Sequence, residues 1–216
     1  MRIKVCGMNY PGNVAAVDDL GVDMIGFIFY PQSRRRVTMS PEALPPTRAR
    51  RVGVFVNQGE EEIVAMVKRY SLDGVQLHGD ESPDFCLRLR HGAASRIFLM
   101  KAISVAGPED LRFAKAYQEV ADYLLFDTRC DGYGGSGRHF DWSMLSAYAG
   151  RLPFLLSGGI GPGDECRVMA FRHPLCAGID LNSRFEQSLG LKDVNSLSRF
   201  IRHVRSDSRL PFRDDV

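Results

Sequence analysis

Eight short apolar runs rich in Val, Ile, Leu and Phe, each bounded by Gly, Asp or Ser, alternate with longer amphipathic stretches through 216 residues. The strand candidates are Ile3–Val5, Met24–Phe29, Val52–Val56, Gly74–Leu77, Ile97–Ala102, Tyr123–Phe126, Phe154–Leu156 and Ala177–Leu181. Helical spacing is predicted over Asn13–Leu20, Glu60–Tyr70, Ser82–His91, Pro108–Gln118, Trp142–Tyr148, Gly163–Phe171 and Val194–Val204. A poorer stretch from Ser40 is broken by Pro45 and Pro46. Repeating units of about 27 residues are close to the minimum for a parallel crossover, so the count predicts a compact α/β fold, a single (β/α)8 TIM barrel. Runs such as VGVFV and YLLF suit a parallel sheet covered by helices. A doubly wound open sheet is the alternative, and periodicity by itself does not exclude it. No linker divides the chain, so one barrel domain is expected over residues 1–205, with a loosely held tail, SDSRLPFRDDV, over 206–216.

Composition excludes several function classes. Twenty-eight Lys plus Arg against 26 Asp plus Glu leave a net charge of +2, which does not suggest a nucleic-acid surface. With 44% hydrophobic and 25% charged residues the profile is that of an ordinary globular chain. Met24–Tyr30, among the longest apolar runs, falls far short of the roughly 18 residues a membrane helix needs. The start MRIKVCG enters a strand at once and leaves no room for a secretory signal. Five cysteines (Cys6, Cys86, Cys130, Cys166, Cys176) form no CxxC pair, as expected for a reducing cytoplasm. The histidines (His78, His91, His139, His173, His203) show no HxH or HxxxH spacing, so no metal is expected.

In such a barrel, reacting groups come from the C-terminal ends of strands and the loops beyond them. The exit of strand 7, LLSGGIGPGD, places Gly158 and Gly159 where backbone N–H groups can approach an anion, and Asp180, Asn182 and Ser183 leave strand 8 beside it. Together they occupy the usual phosphate position, although SGG alone is also a plain tight turn. Cys6 and Asp127 end strands 1 and 6, well apart around the ring, where they could face a bound molecule from opposite sides as base and acid. The thiol would have to ionise, helped by a cation or a phosphate site. The acid would have to be held protonated by apolar surroundings or a neighbouring negative charge. A buried cysteine and a loop-capping aspartate are the bland alternatives. Lys4 shares the face of Cys6 by period 2 and could assist it or pair with a carboxylate such as Asp180.

Arg34, Arg35 and Arg36 follow YPQS after strand 2. A run of arginines is usually a solvated surface, yet at a barrel mouth one guanidinium could bind a substrate carboxylate through two parallel bonds. His78 reads as a structural histidine. The segment TRCDGYGGSGRHFDW after Asp127 is glycine-rich and aperiodic, a lid or a flexible connector.

KVCG at 4–7, GFIFYPQSRR at 26–35, VGVFVN at 52–57, VQLHGDE at 75–81, LFDT at 125–128, GYGGSGRHFDW at 132–142, LSGGI at 156–160 and GIDLNSRFE at 178–186 together resemble, in order, the phosphoribosylanthranilate isomerase family of tryptophan biosynthesis. The resemblance implies a cofactor-free (β/α)8 barrel that carries out an Amadori rearrangement of a phosphorylated aminoaldose to an aminoketose. It implies Cys6 as general base, Asp127 as general acid and Arg35 as the residue for the anthranilate carboxylate. Gly158, Gly159 and the segment Asp180 to Ser183 are implied as the phosphate loops. The implied partner is a small phosphosugar, with no nucleic acid and no membrane. Three departures from the family stand out: Arg36 stands where relatives often have Tyr, DLNSRFE replaces DVSSGVE so that Asn182 and Arg184 stand for Ser and Gly, and Asn9 replaces Thr or Arg. The competing readings are another phosphosugar isomerase or epimerase, and a catalytically idle sugar-phosphate sensor with a redox-active Cys6.

Overall fold

The computed structural model describes residues 1–92, 97–128 and 141–206. The expected tail from 207 onward and most of the segment that reads as a lid, with Cys130 and His139, lie outside the described residues. Eight parallel strands close into a barrel in sequence order: β1 (Arg2–Val5), β2 (Met24–Ile28), β3 (Arg50–Phe55), β4 (Gly74–Leu77), β5 (Phe98–Val105), β6 (Tyr123–Thr128), β7 (Phe154–Leu156) and β8 (Cys176–Leu181). β1 pairs with both β2 and β8, with Lys4 opposite Met24 on one side and Asp180 on the other. The open-sheet alternative is thereby excluded.

Helices α1 (Pro11–Asp18), α2 (Glu60–Tyr70), α3 (Pro83–His91), α4 (Glu165–Ala170) and α5 (Val194–Ser206) lie along the chain between and after the strands. Their ends follow elementary rules. Pro11 opens α1, where the first N–H has no intrahelical partner anyway. α2 begins Glu60, Glu61, Glu62 and ends with Lys68 and Arg69, complementing the helix dipole. The Ser82 side chain accepts from Phe85 N at the start of α3.

Three expected helices differ. After β2 there is only a 3-10 turn, Pro41–Ala43, because Pro45 and Pro46 prevent continuation. Pro108–Tyr117 and Trp142–Ala147 are 3-10 helices. Their buried anchors explain this: Leu111 and Ala114, and then Trp142, Leu145 and Tyr148, recur every third residue, which lines one side of a helix with three residues per turn. A small antiparallel hairpin, β9 (Glu186–Ser188) and β10 (Leu191–Lys192), follows β8 and was not expected from the sequence.

Period-2 alternation sorts side chains. Ile3 and Val5, Ile25 and Phe27, Leu124 and Phe126 face outward into the layer between strands and helices. Met24, Val52, Met100, Ala102, Leu125 and Leu155 fill the barrel interior. Phe98 and Tyr123 close its lower end in a T-shaped pair, and Gly74 makes room there, since a Cβ would stand 2.2 Å from the Phe98 ring. Aspartates that directly precede the even strands tie them to the odd ones: Asp23 accepts from Ile3 N at 2.8 Å, Asp73 from Arg51 N at 2.7 Å and Asp122 from Leu99 N at 2.7 Å. No helix among the described residues is long and apolar enough to cross a membrane.

Candidate active site

The same alternation carries upward to the strand exits. Cys6 above Lys4, His78 above Gln76, Asp127 above Leu125, Ser157 above Leu155 and Asn182 above Asp180 all line one cavity at the C-terminal mouth, with Gly158, Gly159 and Ser183 on its rim. Cys6, Asp127 and the glycine loop, predicted separately from the sequence, therefore share one space. Arg35 is not among the cavity-lining residues.

Cys6 is buried, and its backbone N–H extends the sheet by donating to Leu181 O at 2.9 Å. Its Sγ rests against Gly26, where a Cβ would stand 2.7 Å away, so β2 needs a glycine at that place. Burial pushes the Cys6 thiol up from its ordinary value, while Lys4 and Lys192 pull the other way. Lys4 takes both roles allowed by the sequence: its Nζ donates to Asp180 Oδ1 at 2.9 Å, and it also faces the thiol. Although burial disfavours its charge, Asp180 and Cys6 hold Lys4 above the usual lysine range. Burial raises the Asp180 carboxyl, and the Asp127 charge adds to this against the pull of Lys4 and His78.

His78 is more than a filler. The Gln76 amide lies 3.0 Å from His78 Nδ1 and holds the ring through that nitrogen, leaving Nε2 to face the cavity. That Nε2 is 3.4 Å from Asp127 Oδ2, so the histidine orients the carboxyl. The β4 exit that carries His78 is itself clamped. Buried Lys101 on β5 donates to Leu77 O at 3.3 Å, Gly79 O at 2.6 Å, Ala102 O at 3.1 Å and Glu81 Oε2 at 3.2 Å. Glu81 in turn accepts from Asn57 N at 2.9 Å and Gly79 N at 3.0 Å.

Of the three arginines, Arg34 and Arg36 are exposed, and only Arg35 turns inward. Its Nε and Nη2 grip Glu186 as a fork, with Nη2 at 2.8 Å from Oε2. The Arg35 Cδ and the Asn182 amide pack over Gly7, whose φ of +74° and absent Cβ permit both contacts. Gly158 and Gly159 also adopt positive φ, at +90° and +71°. Arg184 does not, so the residue that replaces the family's glycine sits in an ordinary 3-10 backbone, packed against Gly161. Asn9 pins the loop that carries Arg35, its side chain accepting from Thr38 N at 2.7 Å and donating to Arg36 O at 3.1 Å.

Sequence reasoning missed Lys192 and Glu186 as site residues. Lys192 is buried and donates to Asn182 Oδ1 at 2.7 Å and Glu186 Oε1 at 2.8 Å. The local signal was the turn Leu189-Gly190, with Gly190 at φ +76°, which folds β10 back toward β1. Among the described residues no group of three or more His, Cys, Asp or Glu is placed to hold a metal ion.

The family model described as "PRAI: N-(5'phosphoribosyl)anthranilate (PRA) isomerase" matches residues 3–203. The chain belongs to the phosphoribosylanthranilate isomerase family. It is 46% identical over 205 residues to N-(5'-phosphoribosyl)anthranilate isomerase of Phocaeicola vulgatus, covering 95% of this chain and 98% of the relative. It is 47% identical over 209 residues to the enzyme of that name in Parabacteroides distasonis, with 94% and 93% covered. The barrel is also similar, at a TM-score of 0.78 and 33% identity over 95% of this chain and 99% of the other, to a crystal structure of a phosphoribosyl anthranilate isomerase. That structure is a complex with reduced 1-(o-carboxyphenylamino)-1-deoxyribulose 5-phosphate. The chain is thus an enzyme, a phosphoribosylanthranilate isomerase of tryptophan biosynthesis, and the idle-sensor and epimerase readings give way.

Proposed function

We propose that the shared cavity performs the isomerisation with Cys6 as base and Asp127 as acid. The observation that carries this is that both side chains line one cavity from strands three places apart in the barrel, with the β7 and β8 loops on its rim. The substrate is N-(5'-phosphoribosyl)anthranilate, its phosphate held by the backbone amides around Gly158, Gly159 and Ser183, with Asp180 and Asn182 shaping the β8 side of the same pocket. Its carboxylate meets the Arg35 guanidinium, whose Nη1 makes no hydrogen bond among the described residues.

The protonated Asp127 carboxyl, aligned by His78, gives its proton to the furanose ring oxygen. The C1–O bond breaks toward that oxygen, and the anilino nitrogen lone pair completes an iminium ion. The Cys6 thiolate then takes the C2 proton, and the electron pair of that C–H bond forms the enolamine, which tautomerises to the aminoketose. Lys4 opposes the cost of ionising a buried thiol. Every atom that moves is supplied by substrate, Cys6 and Asp127. Free thiols at Cys6, Cys86, Cys166 and Cys176 support a cytoplasmic setting, as do the biosynthetic relatives.

Loss of substrate fluorescence in Cys6→Ala and Asp127→Asn tests the assignment. Each is expected to lower kcat by about 10²-fold or more, and near-normal turnover by both would end it.

A further inference from the structure

Cys6 is surrounded by charge, of which the mechanism above draws only on Lys4. On its own strand stands Lys4, and from β8 comes Asp180, 2.9 Å from the Lys4 ammonium, so these two cancel. β2, MIGFI, carries no charged residue and meets the thiol with Gly26. Asp127 and His78 face it across the cavity. From the hairpin comes Lys192, fully buried. Its Nζ donates to Asn182 Oδ1 at 2.7 Å, and that same oxygen would lie 2.8 Å from a Cβ on Gly7, the residue after Cys6. The carboxylate opposing Lys192, Glu186 at 2.8 Å, is not its own: Arg35 grips the same group at 2.8 Å. Two cations share one anion, leaving one positive charge in excess beside the β1 exit, whereas the Lys4 and Asp180 pair leaves none.

We propose that Lys192 is a positioning residue for Cys6, its ammonium supplying the uncompensated positive charge that favours the thiolate while anchoring Asn182 at the cavity wall. The backbone holds it there: Lys192 N donates to Asn13 Oδ1 at 2.8 Å and Lys192 O accepts from Asn13 Nδ2 at 3.0 Å, so β10 is fastened to α1 directly behind the β1 exit. Burial lowers Lys192, with Glu186 and Cys6 opposing that loss of charge, and Lys192 in turn draws the Cys6 thiol down against its burial. The proposal rests on the reading of Cys6 as the base, and it names a further group, beside Lys4, that favours the ionisation of that base.

The test reads the thiol rather than turnover. The rate of Cys6 carbamidomethylation by iodoacetamide is followed by peptide mass across the neutral to alkaline range in the wild type, Lys192→Met and Lys192→Arg, with exposed Cys166 as internal reference. Lys192→Met is expected to slow Cys6 modification about tenfold at neutral pH and move the midpoint upward by about one pH unit, with Cys166 unchanged. Lys192→Arg is expected to stay within about threefold of wild type. A wild-type midpoint in Lys192→Met, or a loss that Lys192→Arg does not rescue, overturns the proposal. Should Lys192→Met lose its cooperative melting transition, Lys192→Gln, which retains a donor for Asn182, gives the same reading. If Cys6→Ala kept full turnover, the base assignment would fall while the alkylation profile still decided the role of Lys192.

Discussion

Cys6 and Gly26 are in such close contact that β2 can carry no side chain there: a Cβ would stand 2.7 Å from Sγ and 3.1 Å from the Cys6 Cα. The position of the Cys6 thiol is thus set by a missing methyl on the neighbouring strand. Gly26→Ala is expected to displace the thiol and lower kcat about tenfold or more, while overpacking costs about 1–3 kcal/mol. Steady-state kinetics with a thermal melt checks it, and unchanged kcat in a folded variant would show that the contact is slack.

The thiol is held above its ordinary range by burial. A base must be ionised to act, so kcat/KM is expected to climb as pH rises toward that raised value, about tenfold per pH unit on the limb below it. Cys6→Ala should abolish the limb altogether. A flat profile through the alkaline range in the wild type would mean that another group removes the C2 proton.

Arg35 meets Glu186 through a planar fork that a lysine does not reproduce. Arg35→Ala is expected to raise KM about tenfold or more, the worth of roughly 1.4 kcal/mol of carboxylate binding, with the smaller change in kcat. Arg35→Lys should not restore it. An unaltered KM in either variant would assign the carboxylate to some other residue.

Lys101 and Glu81 are both buried and bind backbone groups of β4, β5 and the loop after β3 as well as each other. Removing one charge strands the other, so Lys101→Met is expected to cost about 3–5 kcal/mol in urea unfolding. Lys101→Met with Glu81→Gln should recover a large part of that, because the acceptor remains without its charge. A double variant no more stable than the single would show that the charges themselves contribute little to the penalty.

The barrel was legible because eight apolar runs at near-equal spacing admit few closed arrangements, and period 2 along β1, β6 and β8 puts Cys6, Asp127 and Asp180 on one face. Less legible were features that depend on distant partners. Lys192 is a lone lysine in a short turn segment, and nothing local reveals that Asn182 and Glu186 receive its protons. His78 reads as structural until the fold sets its Nε2 3.4 Å from Asp127 Oδ2, with Gln76, two residues before it on the same face, holding the other ring nitrogen. The three-residue spacing of Trp142, Leu145 and Tyr148 was visible, yet helical periodicity of 3.6 absorbs it unless the difference is sought.

Closure of the ring by β1 against β8 joins Lys4 to Asp180 across 176 positions of chain. Cys6 therefore acquires Asp180 and Lys192 as neighbours only when β8 and the β9–β10 hairpin close on β1. A product truncated ahead of β8 keeps the Cys6 thiol but loses Asp180 and Lys192 together, and with them the charges that the closed ring gathers around it.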